Sequence, residues 1–346
     1  MKRFMLLLCA VYAAIGALFS LHPIAYSARS IFSAETCRLD FHISENAYER
    51  LPIASVTKIM TAVVTAQLAD PDEEICVPAA ACGIEGSSAY LRAGERLTVR
   101  ELLYALMLSS ANDAATALAL HVGGSEEGFV ALMNAKARAL CMNDTYYVNP
   151  HGLPSDGQYS CARDQALLAS YALTLPGVRA ACSAYTYPIR YDGKENGRYL
   201  VNHNRLLRSY NGCIGMKTGY TKEAGRCLVT CAERDGVRLV CVTLGDPDDW
   251  NDHKAALDAG FATFERVYLS AEHEQAAGIP LAGGGNIFVT NVQGLSAVVP
   301  REREEIKKLT ERPRFLYGSE TGTVGEVGYY LGEKLLGKNK LEITRD

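Results

Sequence analysis

This sequence has no strong excess of either charge. Its 35 Lys and Arg nearly balance 39 Asp and Glu, for a net charge of −4. Without a basic surplus, no overall field recruits nucleic acid or an anionic membrane surface. Tryptophan occurs once. After Leu21 no uncharged apolar run is long enough to span a bilayer. No period of about 20–50 residues recurs, which excludes a repeat array. Hydrophobic residues make up 48% and charged residues 21%, which excludes disorder and collagen-like order. The 346 residues allow about two domains. Cysteine is not scarce. Eleven are too few for a disulfide scaffold, yet many for an exported protein.

Export is what the N-terminus suggests. Met1-Lys2-Arg3 is a basic start, Phe4 to Leu21 carries no charge, and His22-Pro23 breaks the run. Ala25-Tyr26-Ser27 then puts small residues at the two positions a signal peptidase reads. Residues 1–27 therefore read as a Sec-type signal peptide cut after Ser27, with an uncleaved anchor as the alternative because the run is long. The expected location is extracytoplasmic, at the cell wall or membrane surface, with membrane contact through this segment only.

Further along, an early strand lies within 28–50, and Ile59 to Leu68 has helical spacing. Thr98-Val-Arg-Glu101 is a capping box that opens a helix through Met107. Ala114 to Val122, Glu126 to Cys141 and Asp164 to Leu173 also read as helices, around loop chemistry at 149–160. Cys227 to Ala232 and Val237 to Leu244 flank Glu233-Arg-Asp-Gly236 as a hairpin. Lys254 to Leu269 reads as a long helix, and Arg301-Glu-Arg-Glu-Glu305 as a solvated helix start. Composition shifts near 275, so 275–346 is expected to be a small β domain. The closing stretch Leu341 to Asp346 resembles a strand rather than an amphipathic anchor.

Three short motifs could carry chemistry. Ser55-Val-Thr-Lys58 stands at a helix start, where residues three apart share a face. A serine hydroxyl needs an adjacent base, and a lysine serves if burial and a second cation lower its pKa. Ser110-Ala-Asn112 offers a hydroxyl to relay a proton and an amide to hold a carbonyl. Lys217-Thr-Gly219 offers a cation, a hydroxyl and a residue without Cβ, so backbone can approach a bound peptide. Singly, Ser-x-x-Lys or Ser-x-Asn arises about once by chance in a chain this size, and Lys-Thr-Gly is rarer. As an ordered set they form the trio of class A β-lactamases and penicillin-binding proteins.

The longer strings resemble one family, the D-alanyl-D-alanine carboxypeptidases among the low-molecular-mass penicillin-binding proteins. They are Ala54-Ser-Val-Thr-Lys-Ile-Met-Thr-Ala62, Leu108-Ser-Ser-Ala-Asn-Asp-Ala-Ala115, Asn149-Pro-His-Gly-Leu153 and Gly215-Met-Lys-Thr-Gly-Tyr-Thr-Lys-Glu-Ala-Gly-Arg-Cys-Leu228. The resemblance implies an α/β (α+β) domain over 28–272, β-lactamase-like, its antiparallel sheet flanked by helices, followed by the small C-terminal β domain. It implies a peptidoglycan stem peptide as substrate, β-lactams as inhibitors, and neither metal nor cofactor. Ser55 would be the nucleophile and Lys58 the base, with Lys217 helping to depress its pKa. Ser110 would carry the proton to the leaving D-alanine, and Asn112 would hold the peptide. Lys217 and Thr218 would meet the terminal carboxylate. The N–H groups of Ser55 and Tyr220, beside Gly219, would form the oxyanion hole.

Two departures stand out. Tyr220 replaces the histidine of many relatives, but only its backbone is needed for the oxyanion role. Asp246 to His253 contains no arginine where many relatives carry one for the carboxylate. A serine β-lactamase is the first alternative, but it needs a glutamate for the deacylating water, and 149–164 has none. A non-catalytic penicillin-recognising or cell-wall-binding protein is the second. His151 is expected to shape its loop, Asp113 to be a helix N-terminal acid, and Trp250 to pack. Cys141 on a helix, and Cys227 and Cys241 in strands, occupy apolar positions. Most cysteines are therefore expected to be free and buried.

Overall fold

A computed structural model describes residues 25–191, 194–281, 284, 286–312, 316 and 322–343. The basic start, the uncharged run and Cys9 lie outside them, as do residues 344–346. In chain order the elements are β1 (Ser30–Glu35), β2 (Phe41–Glu45), a 3₁₀ turn (Ala54–Thr57), α1 (Lys58–Leu68), β3 (Glu74–Cys76), β4 (Arg96–Thr98), α2 (Val99–Leu108) and α3 (Asn112–Gly123). Next come α4 (Glu126–Ala139), α5 (Ala162–Ala172), α6 (Pro176–Ser183), β5 (Thr186–Tyr191), β6 (Lys194–Val201), α7 (Leu206–Ser209), β7 (Cys213–Thr221), β8 (Gly225–Arg234), β9 (Val237–Leu244) and α8 (Asp249–Thr263). The rest is β10 (Phe264–Ser270), β11 (Gln275–Pro280), β12 (Asn286–Asn291), β13 (Leu295–Pro300), β14 (Ile306–Glu311), β15 (Thr323–Leu331) and β16 (Lys334–Ile343). Among the described residues no helix is long and apolar enough to cross a membrane.

The central sheet runs β2-β1-β9-β8-β7, every pair antiparallel. Strand β8 is buried without interruption from Cys227 to Ala232, because both faces of the sheet are covered. Successive side chains point to opposite faces. Cys227, Val229 and Cys231 join the larger core with α1, α3 and α5, while Leu228 and Ala232 join a second core with α8. The sheet thus lies between helical layers, with β7 at one edge. A second sheet, β11-β12-β16-β15-β14, has its own core of Ile279, Val289, Val327 and Leu341.

The capping box forms as its sequence predicts. Thr98 Oγ1 accepts from Glu101 N at 3.1 Å, and Glu101 Oε2 accepts from Thr98 N at 2.8 Å. Three expectations need correction. The helix expected at Lys254 to Leu269 starts at Asp249 and ends at Thr263, and Phe264–Ser270 is strand β10 paired with β13. A short apolar run has no decisive period by itself, and here a partner strand decides it. Arg301 to Glu305 is an irregular link rather than a helix start, in which Arg301 and Arg303 both bind Glu265. Cys141 lies past the end of α4, exposed and at φ 56°, so it is not a buried helix position. All ten described cysteines are free, and half of them are buried.

Candidate active site

Ser55 sits in the 3₁₀ turn ahead of α1, following Ala54 at φ 47°. That left-handed backbone is costly for a residue with a Cβ, and such strain gathers where a side chain must be presented. Thr57 Oγ1 closes the turn by donating to Ala54 O at 2.8 Å. One helical turn on, Lys58 Nζ is 2.9 Å from Ser55 Oγ and donates to His151 O at 2.6 Å. Lys58 is completely buried. Burial, and then the charge of Lys217, hold its pKa well below the usual lysine range, with Asp113 acting weakly against them.

Lys217 lies on edge strand β7, only 1% exposed, and donates to Thr218 O at 2.8 Å. Burial alone brings its pKa down to about 7. Two residues on, Gly219 backs onto the turn that holds Ser55. A Cβ there would stand 3.1 Å from both Ile53 O and Ser55 N, so a side chain would crowd the amide that faces the cleft. Tyr220 is 67% exposed and lines the same cleft as Ser55.

Ser110 links α2 to α3 in a left-handed conformation, φ 56°, and is buried. Asn112 opens α3. Its Nδ2 donates to Glu85 O, and its N–H donates to Ser87 O at 2.7 Å. The amide nitrogen expected to hold substrate is therefore tied to the 85–87 loop. Asp113 fixes that loop's continuation, accepting from Ser88 Oγ at 2.6 Å and from Ala89 N and Leu91 N at 3.0 Å each. It is both the helix N-terminal acid expected and the organiser of the loop.

His151 shapes its loop as expected, and its carbonyl also orients Lys58. The imidazole is pushed down to about 4 by burial and by Lys58, so it is neutral at pH 7. Asn149 Oδ1 accepts from Gly152 N at 2.7 Å, and Thr61 Oγ1 donates to Pro150 O at 2.5 Å. A Cβ at Gly152 would meet Ala54 O at 1.9 Å, and φ there is +90°. The glycine is thus required where the loop touches the turn that holds Ser55.

These elements enclose a cleft of about 540 Å³ lined by Ser55, Ser87, Ser110, Thr218, Gly219 and Tyr220. Lys58, Lys217 and Asn112 are buried beside these residues. His203, Arg205, Arg226, Tyr185 and Trp250 also line the cleft, and none of them was expected at the site from the three motifs. Arg226 pairs with Asp249 at 2.7 Å and lies against the Trp250 ring. It is the cross-strand neighbour of Tyr220 on β8, so their side chains share a face. Trp250, expected only to pack, borders the cleft. Arg226 stands within the Gly215 to Leu228 string, but what anchors it at the cleft is Asp249, 23 residues further on, and no spacing within that string marks the pairing.

Comparison with known proteins follows the same lines. A family model described as D-alanyl-D-alanine carboxypeptidase matches residues 33–248. The chain is 33% identical over 274 residues to the D-alanyl-D-alanine carboxypeptidase DacF of Bacillus subtilis, covering 77% of this chain and 70% of that protein. It is 37% identical over 237 residues to DacC of Escherichia coli, covering 64% of this chain and 58% of that protein. The crystal structure of penicillin binding protein 6B from Escherichia coli superposes with a TM-score of 0.71 at 26% identity, over 93% of this chain and 97% of that one.

Proposed function

The chain belongs to the D-alanyl-D-alanine carboxypeptidase family, and on that premise we propose how its cleft removes the terminal D-alanine from a peptidoglycan stem pentapeptide. It is a serine hydrolase that passes through an acyl-enzyme and binds penicillin. The observation that carries the reading is the contact between Ser55 Oγ and a fully buried Lys58 Nζ at 2.9 Å. A lysine kept neutral by burial and by a neighbouring cation can take the proton of a serine hydroxyl.

Ser55 Oγ attacks the carbonyl carbon between the last two D-alanines while Lys58 takes its proton. The N–H groups of Ser55 and Tyr220 receive the oxyanion, each such donor being typically worth about 3 kcal/mol of barrier. Ser110 passes the proton to the departing amine as the C–N bond breaks. Water then cleaves the ester on Ser55, releasing the tetrapeptide. Asn112 holds the 85–87 loop and presents its carbonyl oxygen to the peptide. Thr218 and Lys217 meet the terminal carboxylate. Arg226, anchored by Asp249, supplies the guanidinium missing from 246–253. Residues 275–346 act as a separate β domain. The enzyme works outside the cytoplasm, where the stem peptide is.

The test is incubation with a stem pentapeptide and, separately, with penicillin, following D-alanine release and adduct mass. Release of D-alanine and one penicillin adduct, both lost in Ser55→Ala, is the expected result. An adduct that survives Ser55→Ala, or no D-alanine release, overturns the reading. Rapid β-lactam turnover would instead mark a β-lactamase.

A further inference from the structure

Tyr26 is half-buried, and Ser27, though exposed, is hydrogen-bonded into the fold. Ser27 N–H donates to Asp252 Oδ2 at 2.6 Å, and its hydroxyl reaches Asp246 Oδ1 at 2.7 Å and Asp252 Oδ2 at 3.0 Å. The same hydroxyl accepts from Asp248 N at 3.2 Å. Asp246 is completely buried and Asp252 nearly so. Two buried acids side by side are costly unless donors are shared between them. Ser27 is such a shared donor. Asp246 Oδ1 also accepts from Asp248 N at 3.0 Å. Tyr26 packs, half-buried, against the core that the sheet shares with α8.

The network also reaches the cleft. Ser27, Asp246 and Asp248 together set the turn that leads into α8, and Asp249, the first residue of that helix, holds Arg226. Hydrolysis of the Ser27–Ala28 bond would send the hydroxyl and the Tyr26 ring away with the leader and leave only a new α-ammonium on Ala28. We infer that Ser27 belongs to the mature protein, and that any processing cuts upstream of Tyr26 rather than at the Ser27–Ala28 bond marked by the small-residue pattern. This inference does not depend on the carboxypeptidase reading.

The experiment is to express the full chain with its own N-terminal segment in a secreting bacterium, and to read the first residue by N-terminal sequencing and intact mass. A first residue at or before Tyr26, including an uncut chain, is expected. In the same full chain, Ser27→Ala should lower Tm by about 3 °C. A mature protein that starts at Ala28 or later, or a Ser27→Ala protein as stable as its parent, overturns the inference.

Discussion

At the scale of single residues, the two buried lysines set both the chemistry and its cost. Lys217 has a folded pKa of about 7, below its ordinary 10.5. The unfolded chain therefore binds more protons between those values, and stability falls as pH drops from 10.5 toward 7. Lys217→Met should remove that cost, raising Tm by about 5 °C at pH 7, with a gain that shrinks toward pH 10. The same variant should acylate slowly. Its acid limb should lie at higher pH than the parent's, because a cation that holds down the Lys58 pKa has gone. A pH profile of β-lactam acylation checks the sign, and an unmoved limb would separate the two lysines. Arg226→Gln should raise KM about tenfold for a peptide ending in a free carboxylate, but not for the C-terminal amide. Arg205→Gln is the control, since Arg205 lines the same cleft.

At the scale of elements, close backbone approach decides what the motifs can do. The 3₁₀ turn of Ser55 is gripped on one side by Gly219 of β7 and on the other by Gly152 of its loop. Gly152→Ala should push the nucleophile out of line and cost about 10²-fold in acylation rate, while circular dichroism shows a folded protein. Unchanged acylation would mean that the loop yields instead. Far from this contact, the capping box behaves as local chemistry: Thr98→Ala should cost about 1 kcal/mol in denaturant unfolding and leave acylation intact. The boxed helix was legible because its signal lies within four residues. The true span of α8 was not, because β10 takes its form from β13, a partner about thirty residues downstream.

For the molecule as a whole, the cysteines divide by depth. Cys161, Cys182, Cys227, Cys231 and Cys241 are buried in the cores, while Cys37, Cys76 and Cys141 are exposed. Burial pushes Cys182 up to about 12 and Cys213 and Cys227 up to about 11, so their thiolates are scarce at neutral pH. A thiol reagent should therefore titrate the exposed cysteines in the native protein and all ten between Cys37 and Cys241 after unfolding without reductant. Fewer than four thiols after unfolding would mean disulfides. The sheet explains the pattern: β8 and β9 are covered on both faces, so cysteine serves there as a small apolar residue.

The sequence by itself picked out the proposed nucleophile Ser55, its proposed base Lys58 and the cation Lys217, because they sit in short strings whose spacing suits that chemistry. It also determined the capped helix and the β8–β9 hairpin, both of which are local. Only the tertiary structure decided that Asn112 is tied to Glu85, that the His151 carbonyl orients Lys58, and that Arg226 borders the cleft. It alone showed Ser27 between two buried acids. Each of these rests on a contact between residues from 23 to 225 positions apart. Contacts of that kind are made when a sheet closes between two helical layers, and no spacing along the chain records them.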